Sequence, residues 1–405
     1  MANIDNPPSL KATDGQSKKI DEVLNRGVEE VIDREHLQKK LLSGKTLRIK
    51  LGIDPTSPNI HIGRAIPLLK LLDFQNLGHK VVLIIGDFTG IIGDTSDKES
   101  ERPMLDVKTI KQNMKTYVQQ AGKILDIKKC EIKYNSAWLK KLGWIEIAKT
   151  ANLFGLHEFA AREVIAKRMD AGKRVSYLEM MYPLFQGYDS VMVKADVELG
   201  GTDQRFNLLT GRKIQQFYEQ EPQDIIMNPL IEGLDGRKMS SSWGNTINLL
   251  DSADEMFGKT MSLPDELIIK YFTLATRAPL AEIEEIKKML NPRDQKAMLA
   301  KEIVRMYHGV KAAEAAAENF DKIFRRHETP EKIEIFETDR KNYPILDLLF
   351  DTKLAESKSD AKRVIEGGGV EIDNQKITDW KKEIELKSEM VIRFGKRKFV
   401  KVKLP

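Results

Sequence analysis

Between about residues 46 and 231, short apolar runs alternate with longer stretches in which apolar residues recur every three or four positions. The runs "TLRIKLGI", "KVVLIIGD", "CEIKY", "ADVELGG" and "DIIMNPLI" predict strands, being short, apolar and rich in β-branched residues. "HIGRAIPLLKLLDFQNLG", closed by Gly78, and "DQRFNLLTGRKIQQFY" carry the helical period. Apolar strands separated by helices predict a parallel sheet covered on both faces, with a ligand crevice at the carboxyl ends of its strands. Ahead of the sheet, residues 1–45 predict a helical leader containing two amphipathic helices, "IDEVLNRGVEEVI" and "REHLQKKLL". Residues 98–180 predict a long helical insertion, too regular in pattern for a loop.

After about residue 250 the strand pattern stops. "DELIIKYFTLAT", "LAEIEEIKKML" and "PRDQKAMLAKEIVRMYHG" predict an all-helical region over 249–330. A charged linker over 331–342 leads to a last unit at 343–405. There "PILDLLF" precedes "SKSDAKRVIEGGG", a Ser-capped helix stopped by three glycines. Two hairpin-like segments follow, with turns at "DNQK" and "FGKRK". The expected fold class is α/β: a parallel-sheet domain over 46–248 with its helical insertion, then an α-helical domain, then a small α+β domain.

Composition narrows the setting. A chain of 405 residues is too long for one ordinary core. Hydrophobic content of 41% describes a folded protein rather than a disordered one. The apolar run "VVLII" at 81–85 is far too short to span a bilayer, so no membrane role is expected. "MANIDNPPSLKATDGQSKK" has no apolar core ahead of a cleavage site, so no secretory signal is expected. A single cysteine, Cys130, excludes internal disulfides and any zinc site built from several cysteines. These features point to the cytoplasm. The net charge of +5 includes a basic bunch, "GKRKFVKVK", which suits a polyanionic partner without requiring one.

Three constellations carry candidate chemistry. "GIDPTSPNIHIGR" (52–64) ends a strand in a polar turn and delivers His61 and Gly63 to a helix N-terminus, where unpaired N–H groups favour anions. "GLDGRKMSSSWGN" (233–245) sets Lys238 in a Gly-rich loop followed by three serines, a mobile charge for a phosphate chain. "YPLFQGYD" (182–189), read as a helix, aligns Tyr182, Gln186 and Asp189 at i, i+4 and i+7 in an otherwise apolar neighbourhood. Taken singly, each also suits ordinary packing or a solvated surface.

In this order and at this separation, His-Ile-Gly-Arg and Lys-Met-Ser-Ser-Ser resemble the paired signatures of class I aminoacyl-tRNA synthetases. "YPLFQGYD" followed by "ADVELGGTDQRFN" resembles the amino-acid pocket of the tyrosyl-tRNA synthetases, as does "GDFTGIIGDTSDK" (86–98) after the second strand. The resemblance implies a Rossmann-like catalytic domain that activates L-tyrosine with ATP and charges tRNA(Tyr). Carried over residue by residue, it gives Tyr182, Gln186 and Asp94 the substrate's α-amino group and Asp189 its phenolic hydroxyl, while Thr89 and Gln204 close the pocket. Asp54, Thr56, His61 and Gly63 would line the ATP site, with Asp203 on the adenylate ribose. Lys238, Met239 and Ser240 would form a loop closing on the pyrophosphate, and His61, Arg64, Lys238 and Ser241 would act by charge and positioning. Mg²⁺ is expected with ATP, held mainly by the phosphates, and no metal bound by the protein alone.

Three positions depart from the family pattern. Arg64 stands where His is usual, and Ser241 where many members have Lys, although other tyrosyl enzymes share that serine. Lys50 stands where many bacterial members place a tyrosine against the substrate hydroxyl, which puts more of the hydroxyl reading on Asp189. Residues 98–180 are similar to the segment through which these enzymes pair as two-fold dimers. Residues 343–405 resemble the RNA-binding fold of a ribosomal small-subunit protein, with Lys358, Lys362 and Arg363 near the tRNA phosphates. A tryptophanyl enzyme and a non-catalytic RNA-binding relative share the scaffold. Asp189 and the last module argue against the first, and the presence of His61, Lys238 and Asp203 argues against the second.

Overall fold

Gly27 takes φ +61° and ends helix α1 (Asp14–Asn25). The chain then runs extended as strand β1 (Glu30–Ile32) before helix α2 (Arg34–Leu42). The sequence "VEEVI" was expected to be helical; it pairs instead, with Glu30, Val31 and Ile32 opposite Met227, Ile226 and Ile225. A left-handed glycine interrupts the helical period there, and an open sheet edge offers the backbone its partners.

The computed structural model describes residues 14–95, 104–325, 333–373, 375–395 and 398–405. It separates into two compact units, Met1–Ala313 and Glu314–Pro405.

In the first unit the strands are β1, β2 (Arg48–Ile53), β3 (Lys80–Ile85), β4 (Glu131–Tyr134), β5 (Val197–Gly201) and β6 (Asp224–Asn228). Their order across the sheet is β1-β6-β5-β2-β3-β4. Every neighbouring pair is parallel except β1 with β6. Helix α3 (Ile62–Asn76) carries the chain from β2 to β3, burying Ile66, Leu69 and Phe74, and Gly78 at φ +88° turns it back. From β2 the chain moves to β3 and β4 on one side, and β5 and β6 lie on the other. The order therefore reverses between β2 and β5, where open parallel sheets bind their ligands.

The stretch 98–180 is not one helical block. Strand β4 lies inside it and pairs with β3, so its helices fall into two groups, one from Val107 to Ala121 and one from Ser136 to Asp170. Residues 98–103 lie outside the described residues. Helix α4 (Tyr177–Val193) begins with a reciprocal cap: Ser176 Oγ accepts from Glu179 N–H, and Glu179 accepts from Ser176 N–H. Helix α5 (Arg205–Phe217) crosses α4 where Gly187 meets Gly211. The sequence from Ala253 to Arg325 is helical as expected, in five α-helices. Arg277 forms a two-pronged pair with Asp73, tying this region to α3 within the first unit.

The second unit has a five-stranded sheet, and one of its strands, Glu334–Glu337, falls within the expected linker. That strand pairs in parallel with Lys398–Lys403, and its short Glu-Ile-Phe-Glu run lacks the alternation that would mark a strand in the sequence. Residues 326–332 lie outside the described residues. The two expected helices are Ile345–Asp351 and Lys358–Glu366, the latter capped by Ser357. Both expected hairpins form, Val370–Ile372 with Gln375–Ile377 and Val391–Phe394 with Lys398–Lys403. Turn residues 374, 396 and 397 lie outside the described residues.

Candidate active site

A cavity of about 240 Å³ opens where β2 and β5 end. All seventeen positions that the resemblance assigned to catalysis, ATP or tyrosine line it. The loops after β2, β3, β5 and β6 and the buried face of α4 converge there, so chain-distant residues meet at one reversal of strand order.

Asp189 is buried on α4. Its Oδ1 accepts from Trp138 Nε1 at 2.8 Å and its Oδ2 from Asn135 Nδ2 at 3.1 Å. Burial pushes its carboxyl up to about 7, against the pull of Lys50 and of the two donors. Asn135 and Trp138 follow β4 directly. Sequence reading missed both, because an Asn and a Trp after a strand carry no signature of their own.

Lys50 was placed beside the substrate hydroxyl by resemblance, and its ammonium is already engaged. It lies 2.9 Å from Glu198 Oε1 and donates to Ser190 Oγ at 2.7 Å and to the Gln186 carbonyl at 2.9 Å. All three of these partners belong to the protein, on α4 and β5. Glu198 was also missed. The available signal was a lysine and a glutamate set in adjacent strands that are otherwise apolar.

Asp54 stands between the groups assigned to the two substrates. Thr89 Oγ1 donates to its Oδ1 at 2.7 Å and Tyr182 O–H to its Oδ2 at 2.9 Å. Burial lifts its carboxyl to about 6, and burial beside Asp54 raises the Tyr182 phenol well above its usual range. Gly86 makes this contact possible, since a Cβ there would collide with Asp54 Oδ1 and Thr89 Oγ1. Asp94 accepts from Gln204 Nε2 at 3.3 Å and from Asn207 Nδ2 at 3.5 Å, and Asn207 also donates to Gln186 Oε1 at 3.1 Å. An acceptor-rich cluster of this kind suits an ammonium ion.

The two signature loops touch although 176 residues separate them: Gly63 N–H points at Met239 Sδ at 3.3 Å. Ser57 and Ser241 hydroxyls lie 3.3 Å apart, and Ser240 N–H donates to Asn245 at 2.8 Å. His61 is buried at the start of α3 and bridges to Asn248. Arg64 donates to the Asp54 carbonyl and Thr56 Oγ1 of the loop before it and to the hydroxyl of chain-distant Tyr117. Lys238 Nζ lies 2.8 Å from Asp203 Oδ2, so two residues assigned to opposite ends of the nucleotide are paired with each other.

Outside the cavity, Asp33, His36 and Asp224 bring donor atoms within 4.8 Å of one another. Lys40 lies 3.4 Å from Asp224 and Arg212 3.8 Å from Asp33, so side-chain cations already balance that group. Lys358 and Arg363 are exposed and Lys362 half-buried on one helix of the second unit, which buries Ala361 and Ile365. Lys358 pairs with Asp347 and Arg363 with Asp360, both at 2.7 Å, and Lys362 lies 4.2 Å from the centre of the Trp380 ring.

Comparison with known proteins matches residues 42–325 to the family of class I tRNA synthetases (W and Y). The chain belongs to that family. Residues 327–402 of the synthetase match the tyrosine--tRNA ligase SYY-like C-terminal domain. It is similar to the tyrosine--tRNA ligase of Thermotoga maritima, 46% identical over 94% of this chain and 96% of that one. It is also similar to that of Shewanella oneidensis, 46% identical over 95% and 99%. Among solved structures, the synthetase shares its fold with a C-terminally truncated Aspergillus nidulans mitochondrial tyrosyl-tRNA synthetase (TM-score 0.64, 22% identity, 76% of this chain and 98% of that chain). Among the described residues, no helix is long and apolar enough to cross a membrane.

Proposed function

We propose that this synthetase is a cytoplasmic enzyme that joins L-tyrosine and ATP as tyrosyl-adenylate, releasing pyrophosphate, and then transfers the tyrosyl group to a ribose hydroxyl of the 3′-terminal adenosine of tRNA(Tyr), releasing AMP. The observation that carries the reading is Asp189, a buried carboxylate with fixed orientation and spare acceptor capacity. A phenol suits it, and phenylalanine would leave the lone pairs not used by Asn135 and Trp138 without water and without a donor.

The substrate supplies its own nucleophile. Its carboxylate oxygen bonds to the α-phosphorus as the bond to the bridging oxygen breaks, and pyrophosphate carries the charge away. Such in-line transfer depends on positioning and charge stabilisation rather than on a protein nucleophile. Tyr182, Gln186 and Asp94 hold the ammonium, and Thr89 and Gln204 bound the pocket. Asp54, Thr56, His61 and Gly63 line the nucleotide side, and Arg64 holds their loop in shape. Lys238 leaves Asp203 for the polyphosphate as the loop of Met239, Ser240 and Ser241 closes, which frees Asp203 for the ribose. Mg²⁺ would enter with ATP, held mainly by the phosphates, and would offset their charge. The second unit holds the tRNA through Lys358, Lys362 and Arg363.

A two-fold homodimer belongs to the same reading. Trp144, Ile145 and Tyr177 expose 76%, 71% and 84% of their surface, apolar area that a partner copy would cover. Sedimentation at micromolar concentration tests it, and a monomer would remove it.

ATP–pyrophosphate exchange measured with each of the twenty amino acids tests the activity. Exchange with tyrosine far above phenylalanine and tryptophan is expected, and exchange independent of tyrosine would overturn the reading.

A further inference from the structure

Lys50 on β2 and Glu198 on β5 are register partners in the sheet, and their side chains are 0% and 1% exposed. Burying two charges costs several kcal/mol for each, and well-packed apolar side chains often serve stability as well or better. The pair therefore calls for a role besides holding the strands together.

Two of its remaining bonds run to Gln186 of the amino-acid site, one from each partner, and the others to buried Ser190 and Gln223. Glu198 Oε1 accepts from Gln186 Nε2 at 3.1 Å, and Oε2 accepts from Ser190 Oγ at 3.0 Å and from Gln223 Nε2. Lys50 grips α4 at the same level, through the Gln186 carbonyl and Ser190 Oγ. A side-chain amide has a donor end and an acceptor end, and an ionised carboxylate can only accept. Glu198 therefore admits only the NH₂ end of Gln186. The carbonyl oxygen is turned the other way, where it accepts from Asn207 and keeps a second lone pair.

We propose that the buried Lys50–Glu198 pair is a positioning device for the substrate's α-amino group. Glu198 fixes the Gln186 amide with its oxygen towards the ammonium, and Lys50 neutralises Glu198 and anchors the backbone that carries Gln186. With a neutral residue at 198 the amide can flip and present N–H groups to a cation. The proposal rests on the reading that the cavity holds tyrosine with its amino group at Gln186.

Equilibrium dialysis of the full chain with three ligands tests it: tyrosine, tyramine, and 3-(4-hydroxyphenyl)propionate, which lacks the amine. Glu198→Gln should weaken tyrosine and tyramine by about tenfold or more, and should change 3-(4-hydroxyphenyl)propionate by less than about threefold. The double variant Lys50→Met/Glu198→Gln removes both charges together and should keep that selective loss. Equal weakening of all three ligands would mark a merely structural role and overturn the proposal. So would a selective loss that vanishes in the double variant, because charge and not orientation would then be the cause. Failure of both variants to fold would assign the pair to sheet stability and equally overturn it. If the unaltered chain binds no tyrosine, the functional reading itself falls, a result distinct from each of these.

Discussion

At the scale of single residues, Asp189 sets the sharpest expectation. Burial lifts its carboxyl to about 7, whereas Asn135 and Trp138 donate to it and so favour the ionised form. An ionised carboxylate is the stronger acceptor for a phenol. Tyrosine kcat/KM should therefore fall as pH drops through about 7, and Asp189→Asn should remove that limb. A second limb near 6, from Asp54, should remain in the variant. A site built to hydrogen-bond a hydroxyl rejects the analogue lacking it, and tyrosyl enzymes are the standing example of this. Asp189→Ala should accordingly shrink the tyrosine-to-phenylalanine ratio by at least about tenfold (~1.4 kcal/mol); an unchanged ratio would remove Asp189 as the reader. Lys238, proposed to meet the polyphosphate, should act differently, because its charge would matter only as pyrophosphate forms. Lys238→Ala should slow adenylate formation about 10²–10³-fold, or ~2–4 kcal/mol, and leave tyrosine affinity nearly intact, as pre-steady-state kinetics would record. The signature residues were legible because each sits in a short motif of distinctive composition. Glu198, Asn135 and Trp138 were not, since each matters only through a partner that the fold brings beside it, Asp189 on α4 for the last two and Lys50, 148 residues away along the chain, for Glu198.

At the scale of elements, hydrophobic period located β2, β3, β5, β6 and the long helices, because these segments are buried on one or both faces. It failed at β1, where three half-buried residues have too little pattern to outweigh a helical neighbourhood. It failed again at Glu334–Glu337, whose charged residues read as a solvated linker until a parallel partner is supplied. The α4–α5 crossing was also hidden, since glycines 24 positions apart give no local sign of meeting. A Cβ on Gly187 would lie 2.8 Å from Ile214 Cδ1 and 3.2 Å from the Gly211 backbone. Alanine there would gain about 1 kcal/mol of helix propensity, against about 1–3 kcal/mol for overpacking. The backbone side of the contact cannot rotate away, so the cost should win. Gly187→Ala is expected to lower the melting temperature and to raise KM for tyrosine, because α4 carries Gln186 and Asp189. A variant as stable as the parent would mean that the helices separate freely.

At the scale of the whole molecule, chemistry and RNA binding are assigned to different units. Every residue proposed for adenylate formation lies in the first unit, and the three proposed for tRNA phosphates lie in the second. A cut at residue 343, where the sequence pattern places the last module, would strip Glu334–Glu337 of its partner strand and leave it exposed. Ending the chain at Arg325 avoids this, since the first family match stops there. That truncated protein should keep tyrosine-dependent pyrophosphate exchange near the parental rate and lose most tRNA charging. The loss should come from affinity, because phosphate contacts release counterions and their contribution falls steeply with salt. The intramolecular partners of these cations temper the expected slope. Lys358 and Arg363 must give up Asp347 and Asp360 to reach RNA, so each contributes less than a full phosphate contact. Replacing Lys358, Lys362 and Arg363 together by alanine in the full chain should thus flatten the plot of log affinity against log salt by fewer than about three units, with pyrophosphate exchange unchanged. If the chain ending at Arg325 charges tRNA at the full rate, RNA binding resides in the first unit and the assignment of the second must be given up.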